Sequence, residues 1–274
     1  MDNHGWQWQT FQEKPVLICR LLAAWPHGFF TREFYPQPPA DLVTELAATA
    51  TAYRVKQVHG DCILTPTEIA TTESTPDSSY PPADAVLSDA PNQSAWVASA
   101  DCTPVLIGDC QTGQVAAIHA GWRGTAARIV PKAIARFQAS GSKLADLRIA
   151  LGPAISGDVY QFDPPIALKV GQSLSKIQQL GDPEQQWQAL QALPDSPIQA
   201  DSEPEKCRLD VRRILTLQLA ELDIASDQWA VAPHCTFQEP ELFFSYRRTH
   251  TKEVQWSGIV SQTFSLCNNN ACPG

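Results

Sequence analysis

Residues 104–119, PVLIGDCQTGQVAAIH, constrain the fold more than any other stretch of the chain. Two apolar runs flank a polar loop at 110–113, the pattern of an antiparallel hairpin. In that register Asp109 lies opposite Gln114 and Pro104 opposite His119. Cys102 then becomes a diagonal neighbour of His119 with the same side-chain parity. A thiol and an imidazole face one space at the end of the hairpin.

Further strand candidates are YRVKQVH, SAWVASA, LRIALG, QWAVA and LFFSYRR. Helical patterning covers a polar region at about 164–193 and the segment LDVRRILTLQLAELDI, where Val211, Leu215, Leu219 and Leu222 share one apolar face. Strands and helices alternate irregularly around the tight hairpin, which favours a mixed-sheet α+β structure over a doubly wound parallel one. The Ser/Thr/Pro-rich segment 65–82 reads as an exposed loop and the polar end 267–274, with Cys267 and Cys272, as a frayed tail. Neither that loop nor a second break at LPDSPIQADSEPEKC marks a domain boundary, so 1–274 is read as a single domain.

With 43% apolar residues the chain can bury a substantial core, and its net charge of -9 argues against a nucleic-acid partner, which would need clustered Lys and Arg. The N-terminus has no basic start followed by an apolar core, and no uncharged apolar run of about 18 residues occurs. Eight cysteines are scattered without C-x-x-C pairs. The expectation is a cytoplasmic protein with mostly reduced thiols, off the membrane, as a monomer or weak homodimer.

His59 ends YRVKQVHG as His119 ends QVAAIH, each followed closely by glycine. His59, Cys102 and His119 have the composition of a three-ligand zinc site with one open position. By spacing alone the same residues equally fit two satisfied histidines and a buried thiol, or a Cys102 nucleophile with His119 as its base. His59 favours the metal, because a dyad has no need of a second imidazole. After His119, Gly121 and Gly124 allow close backbone approach, a helix starting near Thr125 offers free N–H groups, and Arg123 offers a forked charge, which together suggest an oxyanion pocket. Pro131 fits that helix poorly. In FFSYRR, Arg247 and Arg248 would point to opposite faces of a strand. His27, His234 and His250 are weaker candidates.

The segments KQVHGD, ADAVLSD, ASADCTPVLIGD, AAIHAGWRG, LGPAI, CTF and FFSYRR occur in the order found in the YfiH-like proteins, also called laccase-domain, multicopper polyphenol oxidase or peptidoglycan-editing-factor proteins. The chain resembles that family over about 29–258. The resemblance implies an α/β/β/α sandwich of the YfiH and cytotoxic necrotizing factor type, with metal ligands at His59, Cys102 and His119. It implies purine nucleoside phosphorylase activity on adenosine, inosine and 5'-methylthioadenosine, with accompanying adenosine deaminase activity. Zinc is the expected metal, with copper as one the same donors take in vitro. Departures occur at FFTREFYPQPP, which keeps Thr31 and Arg32 but lacks the family's glycines, at Gln161 in place of a glutamate, and at Thr249 in place of an acid.

On this reading Arg123, the helix start and one of Arg32 or Arg247 bind phosphate, Asp101 shuttles the proton of deamination, and Gln57 orients His59 or touches substrate. A cysteine hydrolase or a peptidoglycan-precursor editing enzyme built on Cys102 and His119 is the alternative. A four-copper laccase is excluded by counting, since the chain has six histidines and no H-x-H.

Overall fold

The structure, a computed structural model, describes residues 5–72 and 80–263. The first sheet contains β1 (Trp6–Phe11), β2 (Lys14–Cys19), β3 (His27–Phe30), β4 (Thr51–Tyr53), β7 (Gln93–Ser99) and β15 (Gln255–Val260), in the order β1-β2-β3-β15-β7-β4. The second contains β5 (Ile63–Leu64), β6 (Ala85–Leu87), β8 (Thr103–Asp109), β9 (Val115–Ala120), β10 (Leu147–Leu151) and β14 (Trp229–Val231), in the order β14-β10-β8-β9-β6-β5. A small third sheet joins β11 (Gln161–Phe162), β12 (Ile198–Ala200) and β13 (Cys207–Leu209). Pairing is mixed: β4 with β7, β5 with β6 and β10 with β14 are parallel, and the other pairs antiparallel.

The apolar alternation of the second sheet sets the layers. Every residue of β8 and β9 is buried, so both faces must be covered. Val105, Ile107 and Ile118 pack with helices α4 (Ile129–Ala139) and α8 (Val211–Ala220), whereas Leu106, Ala117 and Ala150 pack with Leu17, Phe29, Val97 and Ile259 of the first sheet. On the first sheet's far face Val16, Ile18, Phe30 and Trp96 meet Leu42 and Val43 of α1 (Pro39–Leu46). The result is the α/β/β/α sandwich that the family resemblance implies. The hairpin register is also as expected, with Pro104 paired to His119 and the Asp109 N–H bonded to the Gln114 carbonyl at 2.9 Å.

Pro131 is accommodated by a break. Helix α3 (Trp122–Ala126) stops, Arg128 takes a left-handed φ of 61°, and α4 restarts at Ile129. Pro131 therefore falls in a first turn, where its missing N–H has no intrahelical acceptor to satisfy. Helices α5 (Pro164–Gly171), α6 (Ser175–Gln178) and α7 (Pro183–Gln191) occupy the expected polar helical region.

Three sequence expectations are corrected. YRVKQVH is not a continuous strand: it joins β4 at Tyr53, makes an isolated parallel bridge from Lys56 to Pro82, and its Gln57 side-chain amide takes the N–H and C=O of Ala98 at 2.7 and 2.8 Å. LFFSYRR is not a strand, because the Ser245 hydroxyl caps a short helix α9 (Tyr246–Thr249) by accepting the Arg248 N–H. Segment 65–82 is not all loop: Thr65 and Glu68 form a capping box, with Pro66 in the first turn, that starts α2 (Pro66–Thr71). Residues 73–79 and the expected frayed tail, with Cys267 and Cys272, lie outside the described residues. Among the described residues no helix is long and apolar enough to cross a membrane.

The two sheets approach closely where β8 carries Gly108, whose added Cβ would lie 2.7 Å from ring carbons of the buried Trp25. Gly108→Ala is expected to lower stability by about 1–3 kcal/mol through overpacking, measured as the shift of the urea midpoint at unchanged slope.

Candidate active site

Asp84, fully buried at the start of β6, organises the site. Its Oδ1 accepts the His59 N–H at 2.9 Å and its Oδ2 accepts those of Gly60 at 2.6 Å and Val58 at 3.3 Å. Oδ1 also lies 2.9 Å from Nδ1 of His119. An ionised carboxylate only accepts, so Nδ1–H donates and Nε2 of His119 is left free as a ligand atom. Burial works to raise the Asp84 carboxyl, but the His119 ring and the amides of Gly60 and His59 outweigh it and hold it below the usual carboxylate range. One side chain thus fixes the tautomer of one imidazole and the backbone turn that presents the other.

That turn is needed because His59 adopts a left-handed φ of 61°. Cys102 is presented in a similar way by Asp101, whose φ is 93°. Such geometry costs of order 1–3 kcal/mol per residue and persists only where the surroundings over-determine it. Asp101 is held by its own carboxylate, which accepts the Thr236 hydroxyl at 2.8 Å and the Arg247 N–H at 2.7 Å.

With these supports, ligand atoms of His59, Cys102 and His119 all lie within 4.8 Å of one another. Gly121 is part of the arrangement, since a Cβ there would stand 2.8 Å from Cys102 Sγ. Gly124 lets α3 approach the 59–60 turn, because its Cβ would meet the Gly60 carbonyl oxygen at 2.9 Å. Two neutral-capable imidazole nitrogens and one sulfur around a point that only glycine leaves open form a donor set suited to zinc or another borderline-soft cation. Burial acts to raise the Cys102 thiol, yet the His119 charge and hydrogen bonds from both histidines bring it down to about 6. Burial acts to lower His119, and the Cys102 and Asp84 charges and bonds raise it to about 9.

The trio opens into a cavity of about 670 Å³. Its other walls include Gln57, Tyr246 and Trp256, three cations (Arg54, Lys56 and Lys252) and one carboxylate, Glu253. Of the remaining sequence-predicted residues, Gln57 lines the cavity but commits its amide to Ala98, so it positions the segment leading to His59. Asp101 directs its carboxylate to Thr236 and Arg247, away from the role of proton shuttle. Arg32 is tied to the Pro240 carbonyl and lies over Phe244 at 4.6 Å. Arg123 lies over Trp122 at 4.2 Å, on α3 rather than on the cavity wall. Helix α3 begins at Trp122 rather than near Thr125. Arg247 donates to the Gln161 carbonyl at 2.9 Å and covers the buried Tyr160 ring at 4.8 Å. His27 is structural, bonding the Cys19 N–H and the Trp25 carbonyl.

Sequence reasoning missed Asp84, Arg54, Lys56, Lys252 and Glu253. Asp84 left a signal, an acid inside the apolar run ADAVL; a lone buried carboxylate implies a partner. The cavity's charged residues left none, because Arg54 and Lys56 are far in sequence from Lys252 and Glu253.

Residues 40–261 match the family model described as multi-copper polyphenol oxidoreductase laccase. The chain is 65% identical over 261 residues to the purine nucleoside phosphorylase slr1573 of Synechocystis sp., covering 95% of this chain and 99% of that relative. It is 35% identical to a Haemophilus influenzae protein named purine nucleoside phosphorylase, over 61% of this chain and 59% of the relative. Among solved structures, YlmD from Geobacillus stearothermophilus superposes with a TM-score of 0.74 at 22% identity, over 93% of this chain and 98% of that one. The YfiH protein of Bacillus licheniformis gives 0.71 at 23% identity, over 90% and 96%. These two likenesses support the fold.

In metal-stripped protein the site is expected to hold a thiolate–imidazolium pair between about pH 6 and about pH 9. The sign follows from the shifts: the depressed Cys102 loses its charge as pH falls through about 6, and the raised His119 loses its proton as pH rises through about 9. Alkylation of Cys102, read by peptide mass spectrometry, should rise with pH about a midpoint near 6. His119→Ala should move that midpoint upwards.

Proposed function

Because this chain belongs to the multi-copper polyphenol oxidoreductase laccase family, and relatives within it are named purine nucleoside phosphorylases, we propose that it is a zinc-dependent purine nucleoside phosphorylase with adenosine deaminase activity. Its substrates are adenosine, inosine and 5'-methylthioadenosine together with phosphate. The observation that carries the reading is the convergence of His59, Cys102 and His119 in the lining of a cavity large enough for a nucleoside.

His59, Cys102 and His119 would hold the zinc. When bound, the ion supplies Lewis acidity at neutral pH. The protein's own residues prepare the donors: Asp84 directs Nε2 of His119 inward and holds the His59 turn, and the two histidines favour the Cys102 thiolate that a soft cation requires. The same donors would take copper in vitro, but six histidines in the whole chain do not furnish a four-copper centre.

In phosphorolysis a phosphate oxygen forms a bond to C1' of the ribose as the bond from C1' to the purine nitrogen breaks. The electron pair leaves with the base, which takes up the proton that the phosphate loses, and the products are the free base and the sugar 1-phosphate. Deamination of adenosine needs a carboxylate to move protons between water, the ring and the departing ammonia. Asp101 is committed elsewhere, so Glu253, the carboxylate that lines the cavity, takes this role in its place.

The lowered Cys102 thiol beside a raised His119 also favours a second reading, a thiol nucleophile with its imidazolium partner, as in cysteine hydrolases. The two readings differ in their need for metal. Purified protein is expected to contain about one zinc per chain and to release adenine and ribose 1-phosphate from adenosine plus phosphate, with Cys102→Ala losing both metal and turnover. Full turnover in metal-free protein would establish the thiol reading instead. Glu253→Gln is expected to lower inosine formation from adenosine by roughly 10²- to 10⁴-fold while adenine release persists, measured by product chromatography.

A further inference from the structure

We propose that the subsite for inorganic phosphate is the cationic wall of this cavity, centred on Arg54 with Lys56 and Lys252, an assignment that rests on the phosphorylase reading above. The Arg54 guanidinium lies 4.1 Å from the Tyr80 ring centroid and 5.0 Å from that of Trp256. Among the described residues no carboxylate pairs with it, and its Nε is buried without a hydrogen-bond partner. A guanidinium held against two aromatic rings has already lost much of its rotamer freedom, and among the described residues its Nε has no acceptor. Its planar fork matches two oxygens of a phosphate.

The charge balance of the cavity points the same way. Arg54, Lys56 and Lys252 line it against the single acid Glu253, and Glu253 accepts the Thr251 hydroxyl at 3.0 Å. None of the three cations has an acidic partner among the described residues. In a chain of net charge -9 such an excess makes a local positive potential that a small dianion neutralises. The arginines expected from the sequence are less suited: Arg32 and Arg247 already donate to backbone carbonyls, and Arg123 lies off the cavity wall. His59, Cys102 and His119 line the same cavity as Arg54, so a phosphate on this wall shares that cavity with the trio.

The test is Arg54→Gln in the full chain, with thermal denaturation confirming that the variant folds. In adenosine phosphorolysis the KM for phosphate is expected to rise roughly 10- to 100-fold, the loss of a charged hydrogen-bond pair, while the KM for adenosine stays within about twofold. Lys56→Gln and Lys252→Gln should give smaller rises in the same parameter, and Arg54→Lys an intermediate one. Calorimetric titration with inorganic phosphate alone, in the absence of nucleoside, should show binding to the wild type and none to Arg54→Gln. Unchanged phosphate KM and unchanged phosphate binding in Arg54→Gln overturn the assignment, as does an equal or larger effect from Arg123→Gln or Arg247→Gln. If the wild type binds phosphate through Arg54 yet cleaves no nucleoside, the subsite stands and the phosphorylase reading fails.

Discussion

The site depends on one buried carboxylate. Asp84 accepts bonds from three consecutive backbone amides and from the His119 ring, so it couples the end of β9 to a turn that begins well before it in sequence. Burying a carboxylate is costly unless every lone pair finds a donor. Here the donors are the groups whose positions matter, and the need to satisfy Asp84 sets the geometry of His59 and His119 together. Cys102 comes to the same point by a different route, through the β8–β9 register and the strained backbone at Asp101.

A consequence is that the site stands on the rigid part of the molecule. β8 and β9 are buried on both faces between the helices and the first sheet, and close packing there leaves little room for the trio to relax. Gly121, just before α3, and Gly124, within it, serve the same purpose, since side chains at either place would push the sulfur or the 59–60 turn aside. Strain at His59 and Asp101 is tolerated because Asp84 accepts the N–H of His59 and those of both its neighbours, and the Asp101 carboxylate accepts from Thr236 and Arg247. The cavity walls come from more loosely structured segments, around Arg54, Lys56 and the stretch from Tyr246 to Trp256, where change of substrate preference costs the core little.

Much of the fold and of the candidate site was legible in the sequence, for physical reasons that differ by element. The β8–β9 hairpin declared itself because two continuous apolar runs flank a short polar loop, and its register placed Cys102 beside His119. α8 was legible from its single apolar face. The β1–β2 hairpin was not, because its two-residue turn is Gln12-Glu13, both at positive φ, in place of the Asn-Gly or Asp-Gly that usually marks such turns. YRVKQVH alternates like a strand, yet past Tyr53 an isolated bridge at Lys56 and the Gln57 side-chain amide replace the ladder. The surroundings of the arginines were not legible, because sequence shows which residues carry charge and says little of which carbonyl or ring they rest on: Arg32 and Arg247 donate to backbone carbonyls, while Arg54, on the cavity wall, was not singled out.

The central claim is that one sulfur and two imidazole nitrogens share a single cation. X-ray absorption at the zinc edge of the purified protein tests it most directly. The account predicts one sulfur scatterer at about 2.3 Å and two nitrogens at about 2.0–2.1 Å, with the sulfur contribution absent in Cys102→Ser. A zinc shell of oxygen and nitrogen alone in the wild type, or a sulfur signal that survives the loss of Cys102, would contradict it.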